Sequence, residues 1–290
     1  MAQQFQVNRN KSPGGVSKNR IEHEKGLSWV KAYLPPFFIA GQGLALCSVL
    51  ILQKSDIQMP MVWSAFSLAS FLFSVYLFEG MGLLSPEDRV NQPLRWNFFR
   101  VHKHSAFFWI LLSGLIGVLC FERSDLPVVR PFGSLLASGF GFGLYVFFRW
   151  KIFGLMKPFL VSLSWILALW GFSHVELNSH FPLYLTVFFL LFLDSLWLDL
   201  KDVKGDAAYG FNVRHFANHP RRTLSLGHLA LFFFIAGTFS WSHPLQFANG
   251  LLWACGYFSV SRATRFQYAL LIPLWSYLLG LINLWASGLV

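Results

Sequence analysis

Three carboxylates recur at helical spacing in the segment LDLKDVKGDAAYG, residues 198–210. Asp199, Asp202 and Asp206 stand at i, i+3 and i+7, which puts all three on one face of a helix. Lys201 and Lys204 fall on the opposite side, with no acid three or four residues from either. A solvated helix gains by alternating its charges at i,i+4. Here acids face acids, and at ~6 Å and an effective dielectric of ~20 each pair repels by roughly 3 kcal/mol before salt screening. A divalent cation held by carboxylate oxygens would offset that repulsion. The plainer reading is a polar loop capping a membrane helix with its charges in water, and Gly205 is a residue at which the helix could stop.

A second polar segment, SPEDRVNQPLRWNFFRVHKH (85–104), carries a helix-start signature in Ser85, Pro86 and Asp88. Asp88 is thereby explained as a capping acid, or it faces the aspartates of the other segment and shares a metal with them. Arg95, Arg100 and Lys103 offer charge to an anion on the second view and are ordinary loop cations on the first. Lys157 lies just inside an apolar run, where it either snorkels to the headgroups or reaches a polar cavity. Asp194 is about one turn deeper than Asp199, and an acid at that depth marks a functional site or a hydrogen bond to a neighbouring helix. The pairs His102/His104 and His215/His219 have no third ligand at fitting spacing.

The elements that must position these groups are apolar. The 290 residues are 55% hydrophobic and only 12% charged, against about 25% charged in a soluble domain. This predicts an all-α membrane protein with about nine transmembrane helices around a central cavity. The spans are expected at 30–53, 58–84, 105–121, 131–149, 156–174, 181–199, 222–241, 245–261 and 267–289, after a mobile cytoplasmic tail at 1–28 that ends in a short interfacial helix. Residues 29–290 form one transmembrane domain, in which Gly139 and Gly143 suit close helix packing.

All but three of the 23 Lys and Arg residues then fall on one side of the membrane, the exceptions being Lys54, Arg123 and Arg130. That bias puts the N-terminus and both polar segments in the cytoplasm. The net charge of +10 is therefore topology, with no nucleic-acid partner implied. The tail has no apolar stretch of signal-peptide type. Cys47, Cys120 and Cys255 are widely spaced within apolar runs and read as buried thiols.

The segment at 198–210 resembles the second aspartate-rich motif of the UbiA superfamily of intramembrane prenyltransferases, approximately DxxDxxGDxxxG, in Asp199, Asp202, Gly205, Asp206 and Gly210. Its GD…G form is closest to the chlorophyll synthase-like branch. DRVNQPLR resembles the end of the first motif, DxxNxPxRP, in Asp88, Asn91, Pro93 and Arg95. The rest of the first motif departs from the family, with Gly80 where its Asn stands and Leu84 where its middle Asp stands.

The resemblance implies a UbiA-like fold and transfer of an isoprenyl group from a prenyl diphosphate to a lipophilic, aromatic acceptor. It implies Mg²⁺ held by Asp88, Asp199, Asp202 and Asp206. Asn91, Arg95, Lys157 and Lys201 would bind the substrate, with Asp199, Asp202 and Lys157 catalytic. Membrane lipid surrounds the chain, and a bacterial inner membrane is the expected location. The alternative is a non-catalytic UbiA-like protein that binds an isoprenoid lipid or a membrane partner. A CDP-alcohol phosphotransferase needs acids after Asp206 that the chain lacks, and a transporter would place more acids at depth.

Overall fold

The computed structural model describes residues 18–52, 54, 57–81, 89, 93–148 and 156–208. They form seven helices: α1 (Lys18–Ile51), α2 (Met59–Gly80), α3 (Pro93–Val101), α4 (Lys103–Glu122), α5 (Val129–Phe148), α6 (Met156–Phe172) and α7 (Phe181–Ala208). No strand occurs among the described residues. Six of the nine expected spans fall here and each coincides with a helix, four of them to within a few residues at both ends, while α1 begins at Lys18, well inside the expected tail, and α7 runs well past its expected end. The three spans expected after residue 221, together with Asp88, Asn91 and Cys255, lie outside the described residues.

Three helices contain stretches long and apolar enough to cross a membrane: Ala32–Ile51 in α1, Met59–Gly80 and Lys103–Glu122. Met156–Phe172 and Phe181–Leu196 are apolar but shorter. The described residues are therefore all-helical, with helices of the length and composition found in membrane proteins. Such helices pair most of their backbone N–H and C=O groups internally, as lipid requires, with Pro35 and Pro36 of α1 as local interruptions.

How far each helix is covered by its neighbours sets the arrangement. Of the apolar stretch of α1, 83% is buried, against 33% for α2 and 17% for α4. α1 is thus the central post, packed on α2, α3 and α6, while α4 leans on the outside of α2 and turns Phe107, Phe108, Leu111 and Leu115 outward. α5 packs on α6, and α6 on α7. Leu44, Leu46, Leu50, Leu68, Leu169, Phe172 and Leu193 form the core where α1, α2, α6 and α7 meet.

Lipid is as apolar as these side chains, so close backbone approach and interhelical hydrogen bonds must hold the pairs together. Between α2 and α4, Ser67 Oγ donates to the Gly117 carbonyl at 2.8 Å, Ser74 and Ser113 hydroxyls meet at 2.6 Å, and the Phe71 ring lies over Gly117. Between α5 and α6, Ser138 Oγ donates to the Ser164 carbonyl at 2.8 Å. Gly141 faces Ser164 Oγ, and a Cβ on Gly171 would strike the Ser134 side chain. A Cβ on Gly139 or Gly143, the pair expected to pack, would meet nothing within 4 Å among the described residues, and the three spans expected after residue 221 lie outside them. Toward α6 the close-packing positions of α5 are Ser134, Ser138 and Gly141.

The loops after α1, α4 and α6 converge at one end of the bundle. There Arg130 donates from Nη1 to Glu176 at 2.8 Å, from Nη2 to the Val175 carbonyl at 2.7 Å, and from Nε and Nη2 to the Trp170 carbonyl. His174 adopts a positive φ of 58° beside this clamp. Burial and the nearby Arg130 and Lys54 cations lower its pKa to about 4, against a smaller opposing effect of Asp125.

Candidate functional site

At the opposite end of the bundle the polar residues singled out from sequence come together in part. α7 does not stop at Gly205: the helix runs unbroken to Ala208. Positions 199, 202 and 206 therefore share one face of a continuous helix, as the spacing requires. Lys201 lies on the same helix away from that face. For residues 201–208 the backbone alone is described, so the side chains of Asp202, Asp206 and Lys201 fall outside the described set.

Asp199 is buried, with 3% of its surface exposed. Its Oδ1 accepts from Lys157 Nζ at 2.6 Å, and the lysine side chain keeps 26% of its surface exposed. Lys157 sits at the second position of α6, so the ion pair ties the start of α6 to the last turns of α7. Of the two sequence readings of Lys157, reaching into the protein describes the geometry. The pair also neutralises one of the three clustered acids directly.

Arg95 is the second cation brought inward, only 8% exposed. It lies on the inner face of α3, whose other inward residues are Phe98 and Phe99, at i+3 and i+4 from it. Pro93 opens this helix, where a missing N–H costs nothing. Arg95 Nη2 donates to the Tyr76 carbonyl at 3.1 Å, and its guanidinium lies 5.8 Å from the Phe99 ring centroid. Tyr76 is in the last turns of α2, the helix end at which the dipole favours a cation. Gly80 makes the approach feasible, since a Cβ there would strike Arg95 Nη2. Arg95 Nε is buried without a hydrogen-bond partner among the described residues.

Asp194 is half-buried one turn deeper in α7 and accepts from Gln42 Nε2 of α1 at 3.4 Å. The Trp165 indole N–H of α6 donates to the Tyr76 hydroxyl, and Tyr76 lies in the electrostatic reach of Glu79, Asp194 and Arg95. Four helices thus turn polar groups toward one region: Gln42 from α1, Tyr76 and Glu79 from α2, Trp165 from α6, Asp194 and Asp199 from α7. Sequence reasoning missed Gln42, Tyr76 and Trp165. Gln42 carried a signal, an amide inside an apolar run. Tyr76 and Trp165 carried none in a chain that is 18% aromatic.

Chemically the region offers carboxylates, one buried guanidinium, one partly exposed ammonium and a phenol at the edge of an apolar bundle. Hard oxygen ligands of this kind suit Mg²⁺. Among the described residues no group of three or more His, Cys, Asp or Glu side chains is placed to hold a metal ion. Cys47 and Cys120 are buried free thiols. Compared with models of protein families, with curated proteins and with solved structures, the chain matches none.

Proposed function

We propose that the chain is an integral membrane prenyltransferase of UbiA type, with nine spans, cytoplasmic motif segments and a Mg²⁺-dependent diphosphate site. One observation carries this reading. α7 continues as a helix through Gly205, keeping Asp199, Asp202 and Asp206 in register on one face, with Lys157 clasped to the first of them at 2.6 Å. A face that concentrates acid at the mouth of an apolar bundle, beside a lysine that can release its partner, fits a polyanion presented with a divalent metal.

In this reading Asp88, Asp199, Asp202 and Asp206 hold Mg²⁺, which when bound neutralises charge on the diphosphate. Lys157 and Lys201 contribute cations to the diphosphate, Arg95 adds a fixed positive charge beside it, and Asn91 orients it by hydrogen bonding. The allylic C–O bond breaks with its electron pair leaving on pyrophosphate, and the acceptor carbon forms the new bond and sheds its proton. The apolar surfaces of the bundle exclude water from the allylic cation.

A second reading has its own observation. Arg95 fills the space over Gly80, the position at which the family's first motif has Asn. With no side chain at that position and Leu84 where the motif has its middle Asp, half of the metal site lacks ligands, which favours a non-catalytic protein that binds an isoprenoid lipid or a membrane partner.

Thermal unfolding of the detergent-purified chain with geranylgeranyl diphosphate separates the two. A ligand at ~100 times its Kd stabilises by about 2.7 kcal/mol. Stabilisation that requires Mg²⁺ and is lost in Asp202→Asn, together with pyrophosphate release on adding a phenolic acceptor, is the expected result. Stabilisation by the isoprenoid alone, indifferent to Mg²⁺ and to Asp202→Asn, supports the non-catalytic reading.

A further inference from the structure

The outer face of α3 carries an arrangement the prenyltransferase reading does not use. Trp96 projects from it half-exposed, with two guanidiniums against its ring: Arg89 Cζ lies 5.4 Å and Arg100 Cζ 5.2 Å from the centroid. Both arginines are exposed, as are Asn97 and Lys103. A guanidinium over an indole face is held close to the ring by cation–π attraction and has further N–H donors to offer an anion.

Acids adjoin this face along the chain on one side only, as Glu87 and Asp88 directly before Arg89. From Arg89, which follows Asp88, to Phe121 no Asp or Glu occurs, while Arg89, Arg95, Arg100 and Lys103 do. Depth is set by α4. This apolar helix of 20 residues begins at Lys103, two residues after α3 ends, and presents Phe107, Phe108 and Leu111 outward. The residues just before such a span lie at headgroup level, where Trp and Arg are favoured. The inner face of α3 is fixed to the bundle by Phe98 and Phe99, which pack on Tyr33, and by Arg95. Its outer face is therefore held rigidly at the membrane surface, with Val101 69% exposed beside the cations.

We propose that the Arg89–Trp96–Arg100 face of α3 binds the phosphate headgroup of an anionic phospholipid in the adjoining leaflet. The two guanidiniums donate to the phosphate oxygens, the indole holds them at the interface, and Val101 meets the acyl boundary. Lipid is the source that fits, because the cations adjoin an outward apolar surface that a soluble anion would not cover.

The test is thermal unfolding of the full chain in dodecyl maltoside, titrated with phosphatidylglycerol, phosphatidylcholine or inorganic phosphate. Phosphatidylglycerol should stabilise the wild type, and the other two should not. At about 1 kcal/mol per basic residue near an anionic surface, Arg89→Gln/Arg100→Gln should raise the half-saturating phosphatidylglycerol concentration about 30-fold. Arg123→Gln, which removes the cation stacked on Trp63 elsewhere in the bundle, should leave it unchanged. If the double variant does not fold, Arg100→Gln alone should raise it about 5-fold. An undiminished response in the variants overturns the proposal, and so does an equal response to inorganic phosphate, which would make this a soluble-anion site.

Discussion

Asp199 keeps its place in a buried setting because Lys157 meets it at 2.6 Å. Removing one partner of a buried pair strands the other. The cost is reduced here because Lys157 is a quarter exposed. Lys157→Met should destabilise the protein by about 2–3 kcal/mol in denaturant unfolding, and adding Asp199→Asn should recover most of that. If the double variant also loses its response to prenyl diphosphate, the pair serves the site as well as the fold. At the other end of the bundle His174 is held neutral, with its pKa lowered to about 4 from an ordinary 6.5 by burial and by Arg130 and Lys54. Between those values the unfolded chain takes up a proton that the folded chain refuses. Stability should therefore fall as pH drops from 6.5 toward 4 and level off below. His174→Asn, which tolerates the positive φ, should flatten that slope in thermal melts recorded across the window.

At the scale of helices, serine and glycine decide which surfaces meet. Gly117 and Gly139 are both glycines in apolar helices, yet a Cβ on Gly117 would lie 3.1–3.2 Å from the Phe71 ring while one on Gly139 meets nothing within 4 Å among the described residues. Gly117→Val should cost about 1–3 kcal/mol by overpacking. Gly139→Ala should be neutral or stabilise by up to about 1 kcal/mol through helix propensity. Paired thermal melts check both. The sequence placed these helices well, because hydropathy is a one-dimensional signal and each span is long. Which residues of α5 meet the helix beside it was not legible, because glycine spacing says how closely a neighbour can approach and not where the neighbour is. The neighbour is α6, whose Ser164 and Gly171 lie some 25–40 residues further along the chain.

Over the whole molecule the same contrast holds for the site. The register of Asp199, Asp202 and Asp206 was legible because helical spacing is local, and the continuation of α7 past Gly205 preserves it. The inward turn of Arg95 was not, since it depends on the missing side chain of Gly80 and on the helix end at Tyr76, both on a different helix. Gln42 illustrates the limit most clearly, because its partner Asp194 lies 152 residues away. Nothing in the neighbourhood of either residue announces the other.

That separation bears on how the protein is made. α1 is synthesised before the other helices described here, yet it ends as the most enclosed of the three long apolar stretches, with its amide bonded to a carboxylate 152 residues later. At the ~5–20 residues per second of translation, α1 waits roughly 8–30 s for that partner. During the wait its surface faces lipid or an insertion factor, with Gln42 lacking the hydrogen bond it will finally make to Asp194. The helix that ends at the centre must first be tolerable at the periphery. Its composition answers to two environments in succession, an apolar stretch plain enough to enter the bilayer alone and a single amide retained for the assembly that follows.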